Sequence, residues 1–348
     1  MKGSELIMAI DFMMDIPAAD IIPQARIPQR KLYTGALMPA VGLGIFNNDR
    51  FSFEDIGRAV YGALRIGYRL IDCAAAYRNE KEIGEALAQA QKDGISRESM
   101  FITSKLWNDK HRPEDVIPTL KQTLADLQLD YLDAYYIHWP FRNTHAPGAQ
   151  KDDRHPDSRP YCHELYMETY RELERAVDMG LIRHIGTSNM TRVKLEQLLR
   201  DARIRPAMNQ MEMHPSFAQP ELFRYLREEG IQPVAFSPLG SPTRPERDRD
   251  ETDVPVLQQS AIVEIAKKHG VHPAVVCVKW AVQRGQVPIP FSVYYHEYHS
   301  NLKSVTEDPL SEEEMKQIEQ VDSNSRLIKG VVFLWKDAKS WKALWDEE

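Results

Sequence analysis

Residues 68–91 read YRLIDCAAAYRNEKEIGEALAQAQ. LIDCA (70–74) is an apolar run of strand length, and EKEIGEALAQAQ (80–91) follows it with helical spacing. The same strand-then-helix unit recurs in both directions along the chain. Further short apolar runs are AVGLG (40–44), MFITSK (100–105), YLDAYYIHW (131–139), HIGTSN (184–189), AMNQMEM (207–213), QPVAFS (232–237) and VPIPFS (287–292). Helical patterns fill the intervals: 53–67, with Ile56, Val60, Ala63 and Leu64 on one face, then 113–128, 164–180, 191–202, 219–230 and 260–270, the last continued by 274–285. Strands alternating with helices read as a parallel sheet with crossover helices. Eight units predict an α/β fold of the (β/α)8 barrel type. The competitor, a doubly wound open sheet, would show a G-x-G-x-x-G turn after its first strand, and the chain has none.

Three segments fall outside the repeat: an N-terminal extension (1–30), a polar loop of 140–163 after the fourth strand, and a tail (326–348) carrying Trp335, Trp341 and Trp345. The barrel is expected over 31–325, with KLYTGALMPA (31–40) as a hairpin turning at Thr34-Gly35 and closing its N-terminal end. The tail is placed near the substrate pocket.

The bulk numbers fit this picture. Of 348 residues, 43% are hydrophobic and 27% charged, so a packed core is expected. A net charge of −7 with interspersed signs argues against a nucleic-acid partner. Three widely spaced cysteines suggest neither a disulfide framework nor a zinc site. The apolar stretches of the N-terminus are short and interrupted by Glu5, Asp11 and Asp15, so a cytoplasmic protein with no membrane partner is expected. A homo-oligomer stays open.

In a barrel the active site lies at the C-terminal ends of the strands. Reading those ends gives Asp72, Lys105, His138, Ser188-Asn189, Gln210, Ser237 and Ser292, with Tyr77 five residues beyond Asp72. Carbonyl reduction needs a hydride and a proton. A tyrosine phenol, with a reference pKa near ~10, gains acidity beside a cation. Lys105 is the candidate cation, Asp72 its anchor, Tyr77 the proton donor, and His138 a neutral donor to the substrate oxygen. Each has an ordinary alternative: a helix-capping aspartate, a surface lysine, a histidine packed in a turn against Trp139-Pro140. Together, in strand order, the four point to hydride-transfer chemistry.

MPAVGLG (38–44), YRLIDCAAAYRNEKEIG (68–84), FITSKLW (101–107), LDYLDAYYIHWP (129–140), IRHIGTSN (182–189), NQMEMHP (209–215) and VAFSPLGSP (234–242) resemble the aldo-keto reductase superfamily, in particular its aldose-reductase-like branch, over roughly residues 31–310. The resemblance implies a catalytic tetrad of Asp72, Tyr77, Lys105 and His138. It implies nicotinamide contacts at Ser188, Asn189 and Gln210, and pyrophosphate contacts at Ser237 and Leu239. Phe236 takes the place of a stacking tyrosine. Ser292, Glu297 and Asn301 fall at the adenosine end, and Phe46, Trp107 and Trp139 line the substrate pocket.

The departures concern the cofactor. Where relatives have Ile-Pro-Lys-Ser this chain has Ile289-Pro290-Phe291-Ser292, and Glu297 replaces an arginine. A 2′-phosphate would lose two cations and meet a carboxylate, so NAD(H) is favoured over NADP(H). An Asp–Lys latch over the pyrophosphate is also replaced, by Thr243 and Phe291, while Arg244, Arg247 and Arg249 are alternative phosphate ligands. Loop 140–163 carries Arg142, His145, Arg154, His155 and Arg159, which suits a polyhydroxylated or anionic substrate such as a sugar if they face the pocket. The expected function is interconversion of an aldehyde or ketone, of the sugar or polyol class, with its alcohol. The alternative is a non-catalytic cofactor-binding barrel module. A metal-dependent barrel hydrolase fits poorly, because His138 is the single histidine at a strand end.

Overall fold

The structure, a computed structural model, describes residues 10–12, 14–46, 50–146, 148–242, 244–249, 251 and 253–348. Strands β1 (Gln29–Lys31) and β2 (Leu37–Pro39) form the antiparallel hairpin, with Gly35 at φ +88° in its turn. Eight parallel strands follow in sequence order: β3 (Leu43–Gly44), β4 (Leu70–Asp72), β5 (Phe101–Leu106), β6 (Leu132–Ile137), β7 (Ile182–Ser188), β8 (Met208–Glu212), β9 (Gln232–Phe236) and β10 (Val287–Pro288). Two backbone bonds join the first strand to the last: Gly42 N–H donates to Pro288 O at 3.0 Å and Gly44 N–H to Pro290 O at 3.1 Å. The sheet thus curls into the (β/α)8 barrel. The seam needs glycine, since a Cβ on Gly44 would lie 2.7 Å from the Ile289 carbonyl oxygen.

Helices α1 (Phe53–Ile66), α2 (Glu80–Lys92), α3 (Pro113–Asp126), α4 (His163–Asp178), α5 (Arg192–Asp201), α6 (Pro220–Glu228), α7 (Ser260–His269) and α8 (Pro273–Arg284) match the sequence reading to within two residues at either end. Two more were not anticipated: α9 (Tyr295–Ser304), in what reads as a loop, and α10 (Glu312–Glu319). Their patterns are faint. Helix α9 buries only Tyr298, Asn301, Leu302 and Ser304, and α10 is a short helix held by a Ser311–Glu314 capping box. Strand β10 also ends earlier than VPIPFS suggests, because Pro288 and Pro290 have no N–H for a ladder.

Successive side chains on a strand point to opposite faces. The barrel interior collects Leu70, Phe101, Ala134, Tyr136, Met208, Val234 and Val287, with Leu32 and Met38 of the hairpin packed among them as a plug for the N-terminal end. Gly186 on β7 makes room for the Tyr136 ring, which a Cβ there would meet at 2.3 Å. Among the described residues, no helix is long and apolar enough to cross a membrane.

Candidate active site

The strand period carries the interior rows outward to the mouth. Two residues beyond Leu70 comes Asp72, four beyond Phe101 comes Lys105, two beyond Tyr136 comes His138, and two beyond Met208 comes Gln210. Lys105 is fully buried, and its Nζ lies 2.5 Å from Asp72 Oδ2 and donates to the Cys73 carbonyl at 2.9 Å. The other Asp72 oxygen accepts from Thr103 Oγ1 at 2.7 Å and from Gln210 Nε2 at 2.9 Å. The carboxylate is therefore held from three sides. Burial pushes the Lys105 ammonium down, but Asp72 and Tyr77 beside it outweigh that and raise it, so it stays cationic.

Tyr77 follows β4 on a short 3-10 turn, with Lys105 Nζ 5.2 Å from its ring centre. One expectation needs correction here. Lys105 does pull the phenol down, but burial is the larger effect and the net position is above the ordinary tyrosine value. The phenol is held protonated, as a donor. The His138 ring meets Tyr77 edge-on at 5.9 Å between centres. Burial, Lys105 and His111 push the His138 imidazole well below its ordinary range, so it is neutral. Its Nδ1 is buried without a partner.

Aromatic walls surround this pair. Phe46 lies 5.2 Å from Tyr77 and is half exposed, and Trp107 lies 5.1 Å from His138. Trp139 is set behind them and touches Phe333 of the tail at 4.7 Å between ring centres. Phe333 also faces Trp107 at 6.0 Å, Phe141 at 5.8 Å and His145 at 5.6 Å. It is the tail residue central to this wall, whereas the tryptophans drew attention in the sequence. Trp345 is buried and donates to the Lys329 carbonyl at 2.9 Å, while Trp335 and Trp341 are partly buried against the core.

Beside His138, Asn189 adopts the left-handed region (φ +58°) and donates its amide to the His138 carbonyl at 2.9 Å and to Ser188 Oγ at 3.2 Å. Its Oδ1 is buried and unpartnered, an acceptor that fits the N–H group of a nicotinamide carboxamide. Ser237, also left-handed (φ +50°), turns the chain after β9, with Phe236 and Leu239 half-buried on either side. At the far end, Ser292 Oγ donates to Glu297 Oε2 at 2.6 Å and accepts from Tyr294 N–H at 2.9 Å, which fixes Glu297 in the first turn of α9, with Asn301 buried one turn on. Phe291 and Tyr294 pack against Phe51 at 6.1 and 5.7 Å.

The three loop arginines are all engaged. Arg244 is buried and paired with Asp253, Arg247 donates to the Ala149 carbonyl at 3.1 Å, and Arg249 donates to the Arg244 and Pro242 carbonyls. Thr243 lies outside the described residues. Loop 140–163 is likewise more self-contained than its composition suggests. Arg154, Arg159 and His155 bond to the loop's own backbone, and Arg142 pairs with Glu168 at 3.3 Å. The organiser is Asn143, which donates to the Arg159 and Phe333 carbonyls at 2.8 Å each and ties the loop to the tail. A second anchor is Glu212, fully buried at the end of β8. Its carboxylate accepts the Leu327 and Ile328 N–H groups at 2.8 and 2.9 Å and meets His214 Nε2 at 2.9 Å. NQMEMHP gave Glu212 a place in a motif but not its backbone partners, since the tail is more than a hundred residues away. Among the described residues, no three His, Cys, Asp or Glu side chains converge as metal ligands.

Residues 40–323 match the model of the aldo/keto reductase family. The chain is 43% identical to the Bos taurus aldo-keto reductase family 1 member A1 over 302 residues, covering 85% of this chain and 90% of that one. Its Homo sapiens counterpart is 42% identical over the same span. Among solved structures, a Bombyx mori aldo-keto reductase in complex with NADP superposes with a TM-score of 0.76 at 33% identity, covering 87% of this chain and 95% of that one. An aldose reductase from Schistosoma japonicum gives 0.75 at 34%, with coverages of 88% and 96%.

Proposed function

The chain belongs to the aldo/keto reductase family, and on that premise we propose that it is a nicotinamide-dependent oxidoreductase interconverting an aldehyde or ketone of the sugar or polyol class with its alcohol, with Tyr77 as general acid and base. The observation that carries this reading is the Lys105–Asp72 pair, 2.5 Å apart beside Tyr77, with a neutral His138 edge-on to the phenol. When bound, the nicotinamide cofactor supplies or receives the hydride. Ser188, Asn189 and Gln210 would hold its carboxamide, Phe236 its ring, Ser237 and Leu239 its pyrophosphate, and Ser292, Glu297 and Asn301 its adenosine end.

In reduction, the protonated Tyr77 donates to the substrate oxygen as charge develops there. The phenolate left behind is stabilised by the Lys105 ammonium. Asp72, held by Thr103 and Gln210, keeps that ammonium charged and in place. His138, with its hydrogen on Nε2, donates to the same oxygen and orients it. Phe46, Trp107, Trp139 and Phe333 exclude water and offer flat apolar faces to the carbon chain. In oxidation the Tyr77 phenolate, the form that Lys105 stabilises, takes the alcohol proton.

The cofactor is NAD(H) in preference to NADP(H). The support is local: Phe291 is apolar, Glu297 is acidic and tied to Ser292, and all three nearby arginines have other partners. The sugar or polyol class rests on this choice, because a mostly oxidised NAD pool favours alcohol oxidation. Steady-state kcat/KM with NADH and NADPH against short aldehydes and aldoses, and with NAD and NADP against polyols, tests the reading. Absence of turnover with every pair would return the chain to a cofactor-binding module.

A further inference from the structure

The described residues between 10 and 28 lie wholly outside the stretch that matches the family model, yet they are tied to the barrel at specific points. Ile22 N–H donates to the Ile66 carbonyl at 2.8 Å and Gln24 Nε2 to the Gly67 carbonyl at 2.6 Å, so the segment is fastened to the C-terminal end of α1. Phe12 packs on Tyr61 of the same helix at 5.1 Å between ring centres. The segment then reaches α9 at both ends. At the N-terminal end, Asp20 accepts from the Tyr295 hydroxyl at 2.6 Å and lies 3.9 Å from His299 Nε2, whose ring stacks on Tyr295 at 5.7 Å. Past the C-terminal end, Arg26 donates to the Thr306 carbonyl at 2.9 Å. Between these points Met14 reaches the space beside Gly62, where the Tyr298 hydroxyl also lies.

Helix α9 carries Glu297 and Asn301 and has few apolar residues of its own to hold it down. A short helix of this kind takes its position from tertiary contacts rather than from propensity. We propose that residues 10–28 act as a strap that positions α9, with Asp20 and Tyr295 as positioning residues for recognition of the adenosine half of the cofactor. The proposal rests on the reading of Glu297 and Asn301 as adenosine-end residues. Among its described residues, none of the strap's hydrogen bonds, ion pairs or ring contacts reaches the Lys105–Asp72 pair or the aromatic wall, so its effect should be confined to that half.

Calorimetric titration of the full chain with ADP, alongside turnover with reduced nicotinamide mononucleotide, which lacks the adenosine half, separates the possibilities. Asp20→Ala and Tyr295→Phe should each weaken ADP binding roughly three- to tenfold, less than the full loss of a charge-assisted hydrogen bond because this bond positions α9 and does not touch the ligand. The double variant should be little worse than either single one, because both remove the same bond. Turnover with the mononucleotide should not move. Tyr295→Phe is conservative enough to fold, and its melting curve checks that it does. Unchanged ADP affinity in both single variants, while Asn301→Ala weakens it, overturns the strap. An equal loss with the mononucleotide also overturns it, in favour of a general stabilising role. If Asn301→Ala leaves ADP binding untouched, the adenosine-end reading fails and the strap fails with it.

Discussion

Lys105 Nζ lies 2.5 Å from Asp72 Oδ2 with both side chains buried, and the same ammonium lies 5.2 Å from the centre of the Tyr77 ring. One cation is thus shared between a fixed carboxylate and an ionisable phenol. Asp72 is saturated by Thr103 and Gln210 as well, so it has little freedom to follow if Lys105 moves.

Tyr77→Phe removes the proton donor and leaves the contacts assigned to the cofactor. Carbonyl reduction should fall by at least about a hundredfold, the usual contribution of a positioned general acid, while NADH binding followed by tryptophan fluorescence keeps its affinity. A folded variant that retains most of its turnover would move the acid role to His138.

Lys105→Met tests the coupling through pH. Lys105 pulls the Tyr77 phenol down against a larger upward push from burial. Without the ammonium the phenol should titrate higher still, so the alkaline fall in reduction, where the donor loses its proton, should shift to higher pH as overall activity drops sharply. Asp72→Asn should move it the other way, to lower pH, because the cation remains while a carboxylate that raises the phenol is gone. A pH profile for Lys105→Met that overlays the unmodified enzyme's would break the proposed link.

The period of the strands made much of this site legible. Asp72, Lys105, His138 and Gln210 stand at fixed steps beyond apolar interior residues, so their convergence follows from a strand–helix repeat alone. The net effect of burial on Tyr77 was not readable, because a motif shows which charges are near but not how much solvent is removed. Asn143, Glu212 and Phe333 were missed for a different reason: each acts through a partner tens to more than a hundred residues away. Helix α9 was missed because YHEYHSNLKS carries little apolar periodicity and stands on contacts from other parts of the chain.

Glu212→Ala should loosen the tail. It leaves the Leu327 and Ile328 N–H groups and His214 without their shared acceptor, at a cost of roughly 3 kcal/mol or more given about 1–3 kcal/mol for each of the three groups left unsatisfied. These bonds, together with His214 and the Arg326 charge, hold the Glu212 carboxyl below its ordinary range although burial opposes them. A depressed folded-state pKa contributes stability above the unfolded glutamate value of about 4.3 and loses it as pH falls through the folded one. The gap in melting temperature between the unmodified protein and Glu212→Ala should therefore be full at neutral pH and narrow below about pH 4. A gap independent of pH would show that the carboxylate charge is not what holds the tail.

Gly186→Ala places a methyl 2.3 Å from the Tyr136 ring inside the barrel. Overpacking of this kind costs about 1–3 kcal/mol or more, read as a lower urea midpoint with an unchanged slope. Adding Tyr136→Leu should recover part of the loss by withdrawing the ring. If the double variant is less stable than Gly186→Ala alone, the clash is not the cause.

The final prediction concerns cofactor choice. A 2′-phosphate carries nearly two negative charges, and each well-placed Lys or Arg contributes roughly 1.5–3 kcal/mol to holding it. Phe291 offers no charge, and Glu297 presents a carboxylate already bonded to Ser292 at 2.6 Å, which suits ribose hydroxyls and repels phosphate. The two absences together correspond to a shift toward NADH of at least about a hundredfold in kcat/KM relative to a chain with both cations. Phe291→Lys with Glu297→Arg should reverse the preference. The arginine also releases Ser292 Oγ from its carboxylate, so the double change should exceed either single one. Arg244, Arg247 and Arg249 supply the control. Each is engaged elsewhere, so replacing them one at a time with alanine should leave the ratio of NADH to NADPH efficiencies unchanged. A strong NADPH preference in the unmodified enzyme that vanishes with one of those alanines would identify that arginine as the phosphate ligand and refute the argument from Phe291 and Glu297.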